Sequence, residues 1–258
     1  SDAALEGLED SHAAAGSATD VASGFSRTTP STSVTDVASG FNRTTPSTSV
    51  TDVASGFSRT TSPSQFPIAL AIDFRRADAV SRLERARAAG VAALKFHPYL
   101  QQIVPADYER ASSLARDAER LGLFVMVCCS YGTRALERHD GVRLAARLAC
   151  EVRCPIVMSH GGGRQVLDAM LVAADAPHVL LETSFSLPYY VGSSIDIDFA
   201  FAMRKLGPSR WMFGSDAPFV PLAESIARTR DFFDRHHFTA AEADQIFHGT
   251  AAALLHQR

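Results

Sequence analysis

Two short apolar runs in this chain each stop on a side chain able to bind a metal or move a proton. Pro155-Ile156-Val157-Met158-Ser159 ends in His160-Gly161-Gly162-Gly163, and Arg210-Trp211-Met212-Phe213 ends in Gly214-Ser215-Asp216-Ala217-Pro218-Phe219. A buried strand that stops on a polar residue, followed by turn residues that let backbone come close, is how a (β/α) barrel presents catalytic groups at its C-terminal face. A histidine and an aspartate in two such places point to metal binding or proton transfer. For His160 the competing reading is a packed structural histidine, against which the glycine triplet argues. For Asp216 it is a carboxylate that caps the turn fixed by Pro218.

Other residues could complete such a site. Lys95 and His97 lie two apart on one strand, so both point to one face, with His97 nearer the strand end. His97 is expected to bind substrate or orient the site. Its alternative is a loop histidine packed on Pro98 and Tyr99. Glu182 and Ser184 share a face of their strand and could offer an acceptor and a hydroxyl to substrate. Arg164, just after the glycines, could clamp a substrate carboxylate. Tyr189 and Tyr190, with Gly192-Ser193-Ser194, form a loop able to cover the site, and His236 and His237 are expected to be solvated.

The elements that must position these groups alternate. Strands are expected at 68–72, 91–97, 123–129, 155–160, 178–184 and 210–215. Helices are expected after the first strand (with Val80, Leu83 and Ala86 on one face and Gly90 as stop), at 106–121, within 133–152, and at 164–175, 194–206, 222–235, 239–247 and 250–257. Thr239 with Glu242 forms a capping box. Strand–helix alternation makes parallel α/β units. The count is six units, short of a full eight-stranded barrel, and a six-strand sheet leaves open edges that can pair with a second chain.

Before residue 67 the composition is different. Thr19–Val34 reads TDVASGFSRTTPSTSV, Thr35–Val50 repeats it with Asn42 in place of Ser26, and Thr51 starts a third copy. Each copy has too few apolar residues to offset its ordering entropy, so residues 1–66 read as a disordered Ser/Thr/Gly-rich repeat segment, and 67–258 as the barrel domain. A short helix around Leu5 and Leu8 is the exception. The whole chain, 258 residues with 46% hydrophobic and 21% charged, has a globular composition. A net charge of −3 argues against a nucleic-acid partner. No apolar run is long enough for a membrane span, and no secretory signal is visible. Four cysteines, Cys128 with Cys129 and Cys150 with Cys154, fall at opposite strand ends and read as buried free thiols. These features together suggest a cytoplasmic protein.

Four segments carry a family resemblance: Gly90-Val91-Ala92-Ala93-Leu94-Lys95-Phe96-His97-Pro98-Tyr99, the His160 glycine turn, Leu181-Glu182-Thr183-Ser184, and Phe213-Gly214-Ser215-Asp216-Ala217-Pro218-Phe219. From Pro67 onward the chain resembles the amidohydrolase superfamily, in its amidohydrolase-related (amidohydrolase 2) branch. The resemblance implies a TIM barrel with a divalent metal, usually zinc, that performs hydrolysis or, in one branch, decarboxylation. It implies that Asp216 binds metal and accepts a proton from the metal-bound water, and that His160 is a metal ligand or a general base, roles that neutral imidazole suits near pH 7. Some branches carboxylate a strand-four lysine, a reading open to Lys95. The six units would be strands three to eight. The family's His-x-His motif belongs to strand one, and no His-x-His occurs in this sequence. Where strand five should carry a histidine, Val127-Cys128-Cys129-Ser130-Tyr131 stands, and either cysteine could replace it as a zinc ligand.

The expected function is a metal-dependent hydrolase in which activated water attacks a carbonyl-type carbon of a small molecule. The alternatives are a decarboxylase on the same scaffold, with His160 protonating the product carbon, and a barrel relic without catalysis. The open strand edges leave room for a homo-oligomer.

Overall fold

The computed structural model describes residues 67–130 and 138–256. The tandem repeat, the helix around Leu5 and Leu8, and the first residues of the 133–152 helical region lie outside the described residues. One parallel sheet runs in chain order through β1 (Ile68–Ala71), β2 (Val91–Phe96), β3 (Phe124–Cys128), β4 (Ile156–Ser159), β5 (Val179–Glu182) and β6 (Trp211–Met212). The helices are α1 (Ala79–Ala88), α2 (Tyr108–Arg120), α3 (Gly141–Glu151), α4 (Val166–Asp175), α5 (Ser186–Tyr189), α6 (Ser194–Leu206), α7 (Leu222–Arg235), α8 (Ala240–Asp244) and α9 (Thr250–His256). This is the TIM-barrel-like arrangement of six units, and it is not closed: β1 and β6 are the edges of the described sheet.

The strands read as continuous apolar runs because both faces are covered. On one face, Leu94, Phe96, Val125, Val127, Ile156, Met158 and Leu181 pack against helix residues such as Leu83, Leu114, Leu144 and Met203. On the other, Val157 and Met212 pack with Phe124, Met126 and Leu180 beneath Leu254 and Ala251 of α9. The register sets this inner face in rows. Lys95 pairs with Met126, Met126 with Val157, and Val157 with Leu180. Two residues further along each strand, Cys128 pairs with Ser159 and Glu182 with Met212. Phe96 pairs with Val127, so His97 falls beside Cys128 at the same C-terminal rim.

Several expectations need adjusting. On α1, Val80 is 41% exposed and Ala79 takes its place in the core. The helix expected from 164 begins at 166, because residues 160–165 form a separate turn. Cys128 and Cys129 are buried, but Cys150 is exposed and Cys154 half-buried. His236 is not simply solvated: its Nε2 lies 3.3 Å from Asp196 Oδ2 and its ring packs on Phe232. The Thr239 capping box forms, with the Thr239 amide donating to Glu242 Oε2 at 2.7 Å and the Glu242 amide to Thr239 Oγ1 at 3.3 Å. Arg210 ties α4 to the sheet, its Nη2 donating to the carbonyls of Ala173 (2.7 Å) and Ala176 (3.0 Å) and its Nε to that of Val179 (3.1 Å). No helix among the described residues is long and apolar enough to cross a membrane.

Candidate active site

The chain turns sharply after β4. Gly161, Gly162 and Gly163 have φ of 56°, 84° and 56°, a region that suits glycine. Packing demands glycine as well. A Cβ on Gly161 would stand 2.9 Å from Phe199 and from Trp211, one on Gly162 2.7 Å from Ala169, and one on Gly163 would overlap Ser130. The triplet thus serves close packing over the strand end, and in itself it does not distinguish a catalytic from a structural histidine. His160 does stand out: its own φ is 67°, uncommon for a residue with a side chain, and the surroundings must hold it there. Phe185 (φ 55°) and Asp216 (φ 60°) share this conformation just beyond β5 and β6. Three successive strand ends therefore carry a constrained backbone.

His160 is 8% exposed. Its amide donates to Glu182 Oε2 at 3.3 Å, and its Nδ1 lies 2.9 Å from Ser184 Oγ and 3.2 Å from the Ser184 carbonyl. The Ser184 hydroxyl donates to Glu182 Oε2 at 2.7 Å, and the Ser184 amide donates to Oε1. Since that hydroxyl proton goes to Glu182, Nδ1 is the donor to Ser184 and carries a hydrogen. Gly214 makes room for this arrangement, because a Cβ there would collide with the Glu182 carboxylate. Glu182 and Ser184 are therefore engaged with each other and with His160.

Cys128 ends β3 at the same rim, its Sγ donating to the Ser130 carbonyl at 3.8 Å, and the imidazoles of His160 and His97 act on its thiol. Burial pushes its thiol up, but the hydrogen bonds and charges of the two imidazoles outweigh burial and bring it down to about 6. For His160, burial pushes the imidazole down, but the Cys128 hydrogen bond and charge, with the charges of Glu182 and Asp216, bring it up to about 9. Each of the two groups thus favours the charged form of the other. The neighbouring Cys129 faces the helix-side core, and burial raises its thiol well above the ordinary value.

The remaining expected residues are spread out. His97 is half-buried, its amide donating to Gln101 Oε1 at 2.7 Å. Asp216 is half-buried and close enough for its charge to act on His160. Lys95 lies one inner row below the rim. Arg164 is exposed, its backbone bonded to the Tyr190 hydroxyl and its charge acting on that ring. Sequence reasoning missed Phe185, whose ring meets His160 edge-on at 6.4 Å and stacks on Tyr189 at 5.1 Å. It also missed the grouping of Cys128 with the two histidines, which strand register alone could have signalled.

The donors for the divalent ion that the resemblance implies are incomplete among the described residues. Among the described residues, no three His, Cys, Asp or Glu side chains converge as a metal site. Zinc is bound by three or four such donors, and the Nδ1 contact with Ser184 leaves His160 its Nε2 for such a role.

A family model described as amidohydrolase matches residues 14–257. The chain belongs to the amidohydrolase family. No curated protein sequence matches it. Among solved structures, this amidohydrolase is similar to an uncharacterized TIM-barrel protein from Bordetella bronchiseptica, at 21% identity over 76% of this chain and 68% of that one, with a TM-score of 0.60. It is also similar to 2,6-dihydroxybenzoate decarboxylase from Rhizobium, at 15% identity over 76% and 72% with a TM-score of 0.56. A third is a dihydroxybenzoic acid decarboxylase from Polaromonas sp. JS666 with bound manganese and 2-nitroresorcinol, at 14% identity over 70% and 66% with a TM-score of 0.50. At these identities the likeness is one of fold.

Proposed function

We propose that this amidohydrolase hydrolyses a small molecule at a carbonyl-type carbon, with His160 as the group that moves the proton. One observation carries the reading: the ring is fixed through Nδ1 by Ser184, which Glu182 fixes in turn, at the strand end where a barrel exposes its chemistry. Water adds to the carbonyl carbon as Asp216 takes its proton, and as the tetrahedral adduct collapses the His160 imidazolium gives its proton to the departing group. Asp216 supplies negative charge beside the ring and an acceptor for that water. Glu182 and Ser184 act as positioning residues through His160. His97 and Arg164 are the groups proposed to meet the substrate. The scheme uses this chain's own side chains, and among the described residues no three donors group to bring zinc into it. The domain is placed at 67–258, with 1–66 as the repeat segment. A cytoplasmic setting belongs to the same proposal, since free thiols such as Cys128 and Cys150 persist in a reducing compartment.

The test is turnover of a panel of small esters, lactones and amides by the wild-type chain and by His160→Gln. A fall in kcat/KM of about 100-fold or more is expected for the variant. Equal turnover by both would overturn the reading. One observation favours decarboxylation as a second reading: a protonated His160 suits delivery of a proton to the carbon left by carbon dioxide. Carbon dioxide release from 2,6-dihydroxybenzoate, abolished by His160→Gln, would install it in place of hydrolysis.

A further inference from the structure

We propose that the outer face shared by α4 and α6 binds a second copy of this chain, with α4 of each copy laid along α6 of the other. The basis is where the apolar side chains fall. A helix packed on a sheet needs one apolar stripe, and the opposite side is polar. α4 has two such stripes. Val166, Ala169, Met170 and Ala173 are buried in the helix-side core, while Leu167 and Leu171, one turn apart, point away from it at 39% and 58% exposure. α6 repeats the pattern. Phe199, Ala202 and Met203 are buried, and Ile197 and Phe201, again four apart, are 64% and 53% exposed. The two helices pack side by side, so these four side chains share one outer face.

Neighbouring helices of the same layer differ. α2 turns Glu109, Arg110, Ser113 and Arg120 outward, and α3 turns Arg143 and Arg147 outward, with Arg147 paired to Glu109 at 3.1 Å. Those faces are suited to water. A helix that is apolar all round is one that is covered all round, and large apolar side chains gathered on one exposed face mark an interaction surface.

Charge identifies the occupant. α4 carries Asp168 and Asp175 and no base, whereas α6 ends on the exposed Arg204 and Lys205. Arg204 already donates to the carbonyls of His236 and His237, at 2.6 and 3.0 Å. Asp168, Asp175 and Lys205 have no ion pair or side-chain hydrogen bond among the described residues. Both helices return between parallel strands and so run the same way. Asp168 near the start of α4 and Lys205 near the end of α6 therefore lie at opposite ends of the face. A two-fold axis perpendicular to the helices reverses one copy over the other. It brings Asp168 of each copy to Lys205 of the other, and the Leu167–Leu171 stripe onto the Ile197–Phe201 stripe, twice over. It also sets Asp175 against the first turn of the other α6, where free backbone N–H groups favour an anion. The face is thus complementary to itself, as an isologous interface requires.

Light scattering coupled to size-exclusion chromatography tests this on the full chain. Wild type is expected at twice the 27.7 kDa mass of one chain. Phe201→Glu is expected as a monomer with an unchanged urea midpoint, because that side chain is exposed in the single copy. Lys205→Glu should weaken self-association about ten-fold, and adding Asp168→Lys to it should restore the wild-type value. This rescue reads the interface even if Phe201→Glu fails to fold. A wild-type monomer would overturn the proposal, including one that binds phosphatidylcholine vesicles through this face instead. A dimer that persists in both Leu171→Glu and Phe201→Glu would place the contact elsewhere, such as the open edge of β1, and would also overturn it. A dimer indifferent to Lys205→Glu would overturn the laying of α4 along α6.

Discussion

His160 and Cys128 set each other's charge, and this makes the site's pH behaviour predictable. The Cys128 thiol is lowered to about 6, so the thiolate gains population as pH rises through that value. His160 is raised to about 9, so its proton is lost as pH rises through that value. Turnover that uses the His160 proton should fall as pH rises through about 9, read as the alkaline limb of kcat/KM. The alkylation rate of Cys128 should rise with a midpoint near about 6, and in His160→Gln that midpoint should move up toward the ordinary thiol value of about 8.5. An unmoved midpoint would show that His160 does not hold the thiolate. At this scale the apolar runs marked His160, Glu182 and Ser184 as strand-end residues, and the structure joins these three by hydrogen bonds. The sequence did not expose Phe185, whose backbone conformation depends on its packing, nor the meeting of Cys128 with His97, which depends on the stagger between strands.

The elements that hold these side chains make separate predictions. Gly163→Ala places a methyl group on Ser130 at a left-handed φ, and should cost about 2 kcal/mol or more of unfolding free energy in urea. Arg210→Met removes the cation that bonds the end of α4 and the start of β5. Carbonyls of Ala173, Ala176 and Val179 lose their donor, and the cost should again be about 2 kcal/mol, read in the same assay. A change below about 0.5 kcal/mol in either variant would contradict the packing described. The strand–helix alternation was legible because each strand is an apolar run closed by Gly, Pro or a polar residue. Strand ends were read too long, by three residues at β6, because Phe213, Gly214 and Ser215 leave the ladder to form the rim. The glycine triplet read as a functional mark, yet the close approach of Phe199, Trp211 and Ala169 accounts for it.

For the molecule as a whole, the family and the open six-unit sheet were legible from motifs and alternation. A rim built from the described residues offers no three-donor site, so protein purified without a histidine tag should hold well below one zinc or manganese per chain by plasma mass spectrometry. A near-stoichiometric ion that falls in Asp216→Asn would mean that other donors complete a metal centre. The central claim, that His160 is a fixed acid at neutral pH, can be tested without a substrate. The direct measurement is a pH titration of the imidazole resonances of ring-labelled histidines by NMR. Of the nine histidines, one should titrate near about 9, vanish in His160→Gln and shift down in Cys128→Ser. If instead the resonance assigned to His160 titrates near its ordinary value of about 6.5, the imidazolium–thiolate account is contradicted.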